Sequence, residues 1–575
     1  MATALIAHNN PWPIGNIQHW EETGAQLESA LSAYLHSCLA LEQSTSTVPS
    51  IRVDNLPARL DRRIEYFHTL MTQPLAQSLA SVTRTRNKLV TSIYRIPPEV
   101  LGRIFDFAVN GSRSDLCMES AIADTCRCLH RILSVCSVWR KVGTAHAPLW
   151  TLVPIVVLNR LRIISMKSAN LSLERAGRSN LRLAADIGDA FIIPMEFYAK
   201  LAGHGPRFRS ANLCSSSPST LQFILDSILE TAVPGSLTEL SLCIDVPRLN
   251  ERHDSHYLFQ HGGPSKQTAF ERVFTNLRVL RLSNVLPRMG NAPLENLVEL
   301  RIQEVVFGAD TNLRAFLKAL TTASQLETLD MISVEAYEVV VLPVSLHDLQ
   351  LSLPRLQTIF LEDLTYNVLR TVLSIVKPGA HRTVLSVSNL SLVTQRQGIR
   401  LDLDITALHN VFQLHNIDTL LLTELWCVHD RGFALRCLLS MLPTLTTIYL
   451  DEQYLDRASL VSLTRTPDIP ETFPRLRRIY ISSCGIDDIG DQIAFKEMLS
   501  SHPLEEIVLG GSFSEVFEIS EPGNGSNGDL EQVDIAGTDV RTISIKTWIQ
   551  ENVPKCKLLG QTEHFRFKWN EWQLW

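Results

Sequence analysis

From Leu237 onward the chain repeats one short pattern, apolar-x-x-apolar-x-apolar. It reads Leu237/Leu240/Leu242, Leu277/Leu280/Leu282, Leu297/Leu300/Ile302, Leu326/Leu329/Met331 and Leu356/Ile359/Leu361. It continues as Ile417/Leu420/Leu422, Leu445/Ile448/Leu450, Leu476/Ile479/Ile481, Leu504/Ile507/Leu509 and Leu530/Val533/Ile535. The starts lie 40, 20, 29, 30, 61, 28, 31, 28 and 26 residues apart. A degenerate copy, Leu385/Val387, divides the longest interval, and Phe208/Ala211/Leu213 extends the pattern upstream. Apolar residues two apart define a short strand with one face turned inward. Between copies, stretches such as Asn312 to Thr321 and Asp491 to Ser501 carry apolar residues at helical spacing. One strand plus one helix cannot bury its own apolar face, whereas stacked copies share a continuous core and a parallel sheet. The expectation is an α/β solenoid over residues 151–540, followed by a C-terminal cap and aromatic tail at 541–575. A compact α/β domain with a parallel sheet is the competing reading.

The array resembles the leucine-rich-repeat family in its long, irregular form; it departs from the tighter versions by having no regular Asn after the strand. Between the last two apolar positions of each copy, one residue points to the concave surface. That column reads Ser241, Arg281, Arg301, Asp330, Phe360, Leu421, Tyr449, Tyr480 and Val508. Aromatic residues anchor protein interfaces, and Arg pairs with carboxylates and phosphates. The column therefore predicts a two-part substrate site. Phe360, Leu421, Tyr449 and Tyr480 form an apolar anchor, and Arg281 and Arg301 read an acidic or phosphorylated group. Alternatively, the tail, with Phe565, Phe567, Trp569, Trp572 and Trp575, covers that face.

Ahead of the array the apolar spacing is helical. Residues 1–50 contain a helix over Glu21 to Leu41 and a linker at Ser44 to Ser50. In residues 51–95, Leu60, Ile64, Phe67 and Met71 fall on one stripe, and Leu79, Val82, Leu89 and Ile93 repeat more loosely. Pro74 should break or kink this segment, because proline lacks the N–H and clashes with the preceding turn. A hairpin, a self-association coil, or a helix packed on the following module all fit, and the last is preferred. Residues 96–150 predict a small all-α module. Pro97 and Pro98 open a helix, Glu99 sits at its positive end, and Val100, Leu101, Ile104, Phe105, Ala108 and Val109 make an apolar stripe. A second helix is predicted around Cys128 to Val142.

The order Ile96-Pro97-Pro98-Glu99-Val100-Leu101-x-x-Ile104-Phe105, then Val135-Cys136-x-x-Trp139-Arg140-x-Val142, then Leu149-Trp150 resembles an F-box. It departs in its long inter-helix link, Gly111 to Cys126. The resemblance implies binding to a Skp-type adaptor, and through it to a cullin–RING ligase. Residues Ile96, Pro97, Pro98, Val100, Leu101, Ile104, Phe105, Val135, Cys136, Trp139, Leu149 and Trp150 would make that contact. F-box plus leucine-rich repeats implies the substrate-recognition subunit of a Skp–cullin–F-box ubiquitin ligase, its repeats holding a protein target whose identity the sequence does not give. The alternative is a repeat scaffold with no ligase role.

Composition narrows the function classes. Lys plus Arg is 53 and Asp plus Glu is 60, a net charge of −7, which argues against wholesale nucleic-acid binding. No apolar run reaches the roughly 18–20 residues of a membrane span. Eleven scattered cysteines make no disulfide framework, and Met1 to Trp20 shows no secretory leader, so a cytoplasmic or nuclear location is expected. The Cys117, Cys126, Cys128, His130 and Cys136 group lacks zinc-site spacing, and the three His of Glu251 to Lys266 read as a surface loop. Gly523, Gly525 and Gly528 match a dinucleotide fingerprint, but without its strand-then-helix context. No H-E-x-x-H or P-loop occurs, nor G-x-S-x-G in strand–turn–helix context; the expectation is a non-catalytic protein without cofactor or metal.

Overall fold

The computed structural model describes residues 14–47, 55–90, 92–111, 116–158, 163–164, 166–188, 193–233, 235–245, 256–258, 270–287, 293–338, 350–396, 399–413, 415–423, 431–451, 453, 455–466, 473–486, 489–513, 545–558 and 572–574. The chain divides into two compact units, Met1–Pro97 and Pro98–Trp575.

The first unit is helical. Helix α1 spans Ile14–Thr47, α2 Leu56–Tyr66 and α3 Thr72–Val90. Between α2 and α3, Phe67–Met71 forms a π-helical turn, so the helix runs through Pro74 instead of ending there. The wider turn sits just ahead of the proline, where the missing N–H and the ring would otherwise collide with a tight α-helical ladder. Tyr34 of α1 meets Phe67 at 5.1 Å between ring centroids.

The second unit begins with three helices, α4 Pro98–Asn110, α5 Met118–Val135 and α6 Ser137–Ala145, and a 3-10 turn Ala147–Trp150; the helix expected over Cys128 to Val142 is thus two, broken at extended Cys136, and α5 begins inside the stretch Gly111 to Cys126 read as a link. There follows an α/β repeat array. Its strands are β1 Leu152–Leu158, β2 Ile163–Ile164, β3 Leu181–Ile187, β4 Phe208–Ser215, β5 Glu239–Ile244, β6 His256–Leu258, β7 Val279–Ser283, β8 Val285–Pro287, β9 Glu299–Gln303, β10 Val306–Ala309 and β11 Thr328–Ile332. Then come β12 Glu335–Tyr337, β13 Thr358–Glu362, β14 Arg382–Ser386, β15 Val393–Arg396, β16 Ile399–Asp402, β17 Ile417–Thr423, β18 Thr447–Asp451, β19 Arg478–Ile486, β20 Glu506–Phe513 and β21 Lys555–Leu558. Fifteen strands form one sheet in the order β2-β1-β3-β4-β5-β7-β9-β11-β13-β14-β17-β18-β19-β20-β21. Every neighbouring pair in it is parallel except β1 with β2. This is the repeat solenoid that the apolar period predicts.

The repeat copies from Phe208 to Leu509 fall on successive strands of this sheet. Leu240, Leu242, Leu280, Leu282, Leu300 and Ile302 are fully buried on the helix-packed face. The copy at Leu530 lies outside the described residues, and the strand beside β20 is β21, from the segment expected to be cap and tail. Two strands upstream, β1 and β3, lengthen the array.

A regular turn stands where tighter repeats carry Asn. Asn284, Glu304, Ser333 and Asp363 immediately follow β7, β9, β11 and β13, all left-handed, with φ of 52°, 56°, 50° and 54°. This conformation turns the first three backbone N–H groups toward the next repeat: Asn284 donates to Gln303 O (3.0 Å), Glu304 to Ile332 O (2.9 Å) and Ser333 to Glu362 O (2.9 Å). A non-glycine residue there costs about 1 kcal/mol or more. The array accepts that cost because the turns at Asn284, Glu304 and Ser333 link adjacent repeats through the backbone.

Candidate binding surfaces

Helix α4 uses two faces. Leu101, Phe105 and Val109 are buried, and the Phe105 ring packs 4.8 Å from Trp139. Leu149 and Trp150 complete this core; Trp150 Nε1 donates to Gly143 O (2.9 Å), and the Arg175 guanidinium lies 4.5 Å above the Trp150 ring. Cys136 caps α6, its Sγ accepting from the Trp139 backbone N–H (3.4 Å). The predicted adaptor residues therefore separate. Leu101, Phe105, Leu149 and Trp150 hold the module together, while Cys136 and Trp139 are half-buried. Pro98, Val100, Ile104 and Val135 are exposed; Ile96 is half-buried and Pro97 exposed at the end of the preceding unit. Phe107, absent from the sequence-based set, is 82% exposed. With Val100 and Ile104 it makes an i, i+4, i+7 stripe on the solvent side of α4. Reading the adjacent pairs Val100–Leu101 and Ile104–Phe105 as a single stripe merged two faces and hid it.

Helix α5 does other work. Its Met118 and Ile122, with Cys126 alongside, pack on Val156, Ala184, Cys214 and Cys243, which lie on the sheet face opposite the repeat helices. The tail residues Trp572 and Leu574 join this cluster. Trp572 Nε1 donates to Asn212 Oδ1 (2.7 Å), and Asn212 Nδ2 donates to Gln573 O (2.9 Å) and Leu574 O (2.5 Å). Met118 N–H donates to Trp572 O (2.9 Å), and Cys117 bridges antiparallel to Gln573. The described part of the tail thus covers the face at β3 to β5, not at Phe360 to Tyr480. Phe565, Phe567, Trp569 and Trp575 lie outside the described residues. Asn212 occupies the same column as Ser241, one strand earlier, and was legible there as a buried-strand polar residue in the Phe208 copy. Beneath α5, burial first, then the nearby Glu119 and Asp245 carboxylates, push Asp186 up to about 6.

Farther along the same face lie the charged residues. Arg281 is half-buried, and its Nε donates to Glu299 Oε1 (2.6 Å). Arg301 is 8% exposed, and its Nη2 donates to Gln303 Oε1 (2.6 Å). Burial pushes Asp330 up to about 7 against the pull of Arg301. Burial, with Asp363 beside it, also pushes Glu362 up to about 7. Both arginines are thus embedded among carboxylates and an amide, so no bare cationic patch faces outward here. A bulge then shifts the column: Thr383 pairs with Ile417 and Val384 with Thr419, leaving Asp418 as the extra residue. Arg382 pins it, Nε lying 3.1 Å from Asp418 Oδ2. The β13–β14 register sets Phe360 opposite Val384, two residues from Ser386, whereas Leu421 aligns with Ser386, Tyr449 and, through Tyr449, Tyr480.

Although on two rows, Phe360 and Leu421 meet in one cluster with Ile332 and Val384, with Tyr449 at its edge. Phe360 is 3% exposed and Leu421 0%, so neither offers an open anchor. Tyr449 and Tyr480 are half-buried and stack at 4.2 Å between centroids, 7° from parallel. Burial, with Tyr449 and Glu506 adjacent, pushes the Tyr480 phenol up to about 12. Of the six predicted substrate residues, these two keep accessible surface of the type an interface uses.

No family model and no curated protein matches the chain. Among solved structures it is similar to the "Crystal structure of Rad7 and Elc1 complex in yeast", over 78% of this chain and 95% of that chain, at 12% identity and a TM-score of 0.31. A likeness of that size carries no argument about partner or activity. Among the described residues no helix is long and apolar enough to cross a membrane.

Proposed function

We propose that the chain is the substrate-recognition subunit of a Skp–cullin–F-box ubiquitin ligase. The observation that carries this reading is the stripe Val100, Ile104 and Phe107, which stands in solvent on a helix whose opposite stripe is already spent on the module's own core. A groove on a helical adaptor takes such i, i+4, i+7 anchors. The repeats would hold the target through the Tyr449–Tyr480 stack. The receptor would act by proximity, raising the target's effective concentration beside a ubiquitin-charged enzyme, with no catalytic group of its own.

Co-purification with a Skp-type adaptor tests the reading. Wild type should retain it, and Val100→Asp plus Ile104→Asp should lose it at an unchanged thermal midpoint, because both side chains are about half exposed. Wild type that fails to retain the adaptor sinks the ligase role. Target capture should fall about tenfold or more in Tyr449→Ala plus Tyr480→Ala, since interface aromatics are commonly worth about 2 kcal/mol each. Unchanged capture would move the target site elsewhere.

One observation favours a second reading, a repeat scaffold without ligase. Met118 and Ile122 of α5 bury themselves on the array's own strands. The module is then at least partly an N-terminal cap of the solenoid, a role that needs no adaptor.

A further inference from the structure

The helices of the first unit are amphipathic, yet none of their described residues is buried. In α1 the positions Ile17, Trp20, Leu27, Leu31, Tyr34 and Leu41 keep a strict alternation of three and four residues, with Gly24 and Cys38 filling the two gaps. That is the heptad seam of a coiled coil. The apolar members named are 38% to 57% exposed. In α2 the stripe runs Leu60, Ile64, Phe67 and Met71, and in α3 Leu75, Leu79, Val82 and Leu89. From Met71 to Leu75 the step is four where the heptad calls for three. The π turn Phe67–Met71 absorbs that extra residue, as one-residue bulges do, and keeps both stripes on one side. A 34-residue helix, about 51 Å long, whose seam meets its own chain at Tyr34 against Phe67 but otherwise stays exposed, gains little from packing within one chain.

The charges on these helices identify the partner. Helix α1 carries Glu21, Glu22, Glu28 and Glu42 and no Lys or Arg, a net charge of −4. Over Leu56 to Val90 there are six basic residues (Arg59, Arg62, Arg63, Arg84, Arg86, Lys88) and two acidic ones (Asp61, Glu65), and 6 − 2 = +4. Glu21, Glu28 and Glu42 recur every seven or fourteen residues directly after seam positions, where interhelical ion pairs form. A surface with one acidic and one equally basic helix is self-complementary under a two-fold axis. We infer that residues Ile14 to Val90 pair two copies of this chain, the acidic α1 of one copy lying along the basic α2–α3 of the other.

Light scattering after size exclusion should find full-length protein at twice the 64.5 kDa chain mass, and Leu27→Asp plus Leu31→Asp at one chain mass. A second arm, which tests the charge pairing, uses two charge variants of the full chain. One carries Glu21→Lys, Glu28→Lys and Glu42→Lys; the other carries Arg62→Glu, Arg63→Glu and Arg84→Glu. Each alone should be monomeric, because its two helices now share one sign. Mixed, they should form a one-to-one heterodimer, because each helix meets the opposite sign on the partner. A wild type that stays at one chain mass at tens of micromolar overturns the inference. So do two charge variants that remain monomeric when mixed, since opposite charge on the partner's helices then drives no pairing.

Discussion

At the scale of single residues, burial separates side chains that sequence spacing had joined. Val100 and Leu101 are neighbours in an apolar run, but one is 47% exposed and the other 3%. Leu101→Ala would cost about 2–5 kcal/mol through the cavity it leaves, which makes it a probe of folding and not of partner capture. Burial also decides the electrostatics of the open sheet face. Asp330 and Glu362 have pKa values of about 7 in the folded chain, above the ordinary carboxylate range near 4. Between about pH 4 and pH 7 the folded state therefore holds more protons on these groups than the unfolded state does. Their contribution to stability is fully present below about pH 4 and is lost as pH rises through 7. Asp330→Asn plus Glu362→Gln removes that loss. The variant's thermal midpoint should gain on wild type as pH goes from 5 to 8; a gap that stays constant or shrinks would show both carboxylates titrating normally.

At the scale of elements, the strand period was fully legible and the devices that close the array were not. The apolar pattern located the repeat strands because every copy must bury the same face. It missed β21, whose sequence Lys-Cys-Lys-Leu has little inward apolar side, and it missed the tail's return to β4. Both depend on partners more than 40 residues distant, which no local pattern encodes. The tail contact rests on Asn212, which is fully buried and makes three hydrogen bonds with Trp572, Gln573 and Leu574. Asn212→Ala should lower stability by about 1–3 kcal/mol, because the indole N–H and two carbonyls lose their buried partner. Trp572 fluorescence should shift toward the red as its ring gains water. Retention of the wild-type spectrum and midpoint would mean the tail docks through its apolar contacts alone. The prolonged α2–π–α3 helix teaches a related lesson: Pro74 reads as a breaker locally, but one widened turn accommodates it.

At the scale of the whole molecule, the surfaces proposed for self-association, adaptor capture and target binding lie on different residues. The helices before Pro97 supply a self-complementary charged seam, α4 supplies an exposed apolar stripe, and the sheet supplies the Tyr449–Tyr480 stack. These surfaces share no residue, so self-association and adaptor capture should be separable. The monomeric Leu27→Asp plus Leu31→Asp variant should still retain the Skp-type adaptor in co-purification. If adaptor retention disappears together with the dimer, the two surfaces are coupled and the reading of α4 as an autonomous contact is wrong. Two target sites in one dimer would also raise apparent affinity for a multivalent target without any new contact.

The sequence by itself determined the α/β class, the positions of the repeat strands from Phe208 to Leu509 and the helical module. Each of these follows from a local period of two, three-and-a-half or about 29 residues that burial imposes on any chain that forms it. Only the tertiary structure decided which apolar residues remain in solvent, how the β13–β14 register places Phe360 and Leu421 on different rows, and why Arg281 and Arg301 face carboxylates instead of an open anion site. Those outcomes are set by neighbours brought together from distant repeats, and accessibility and charge compensation belong to that neighbourhood, not to the residue.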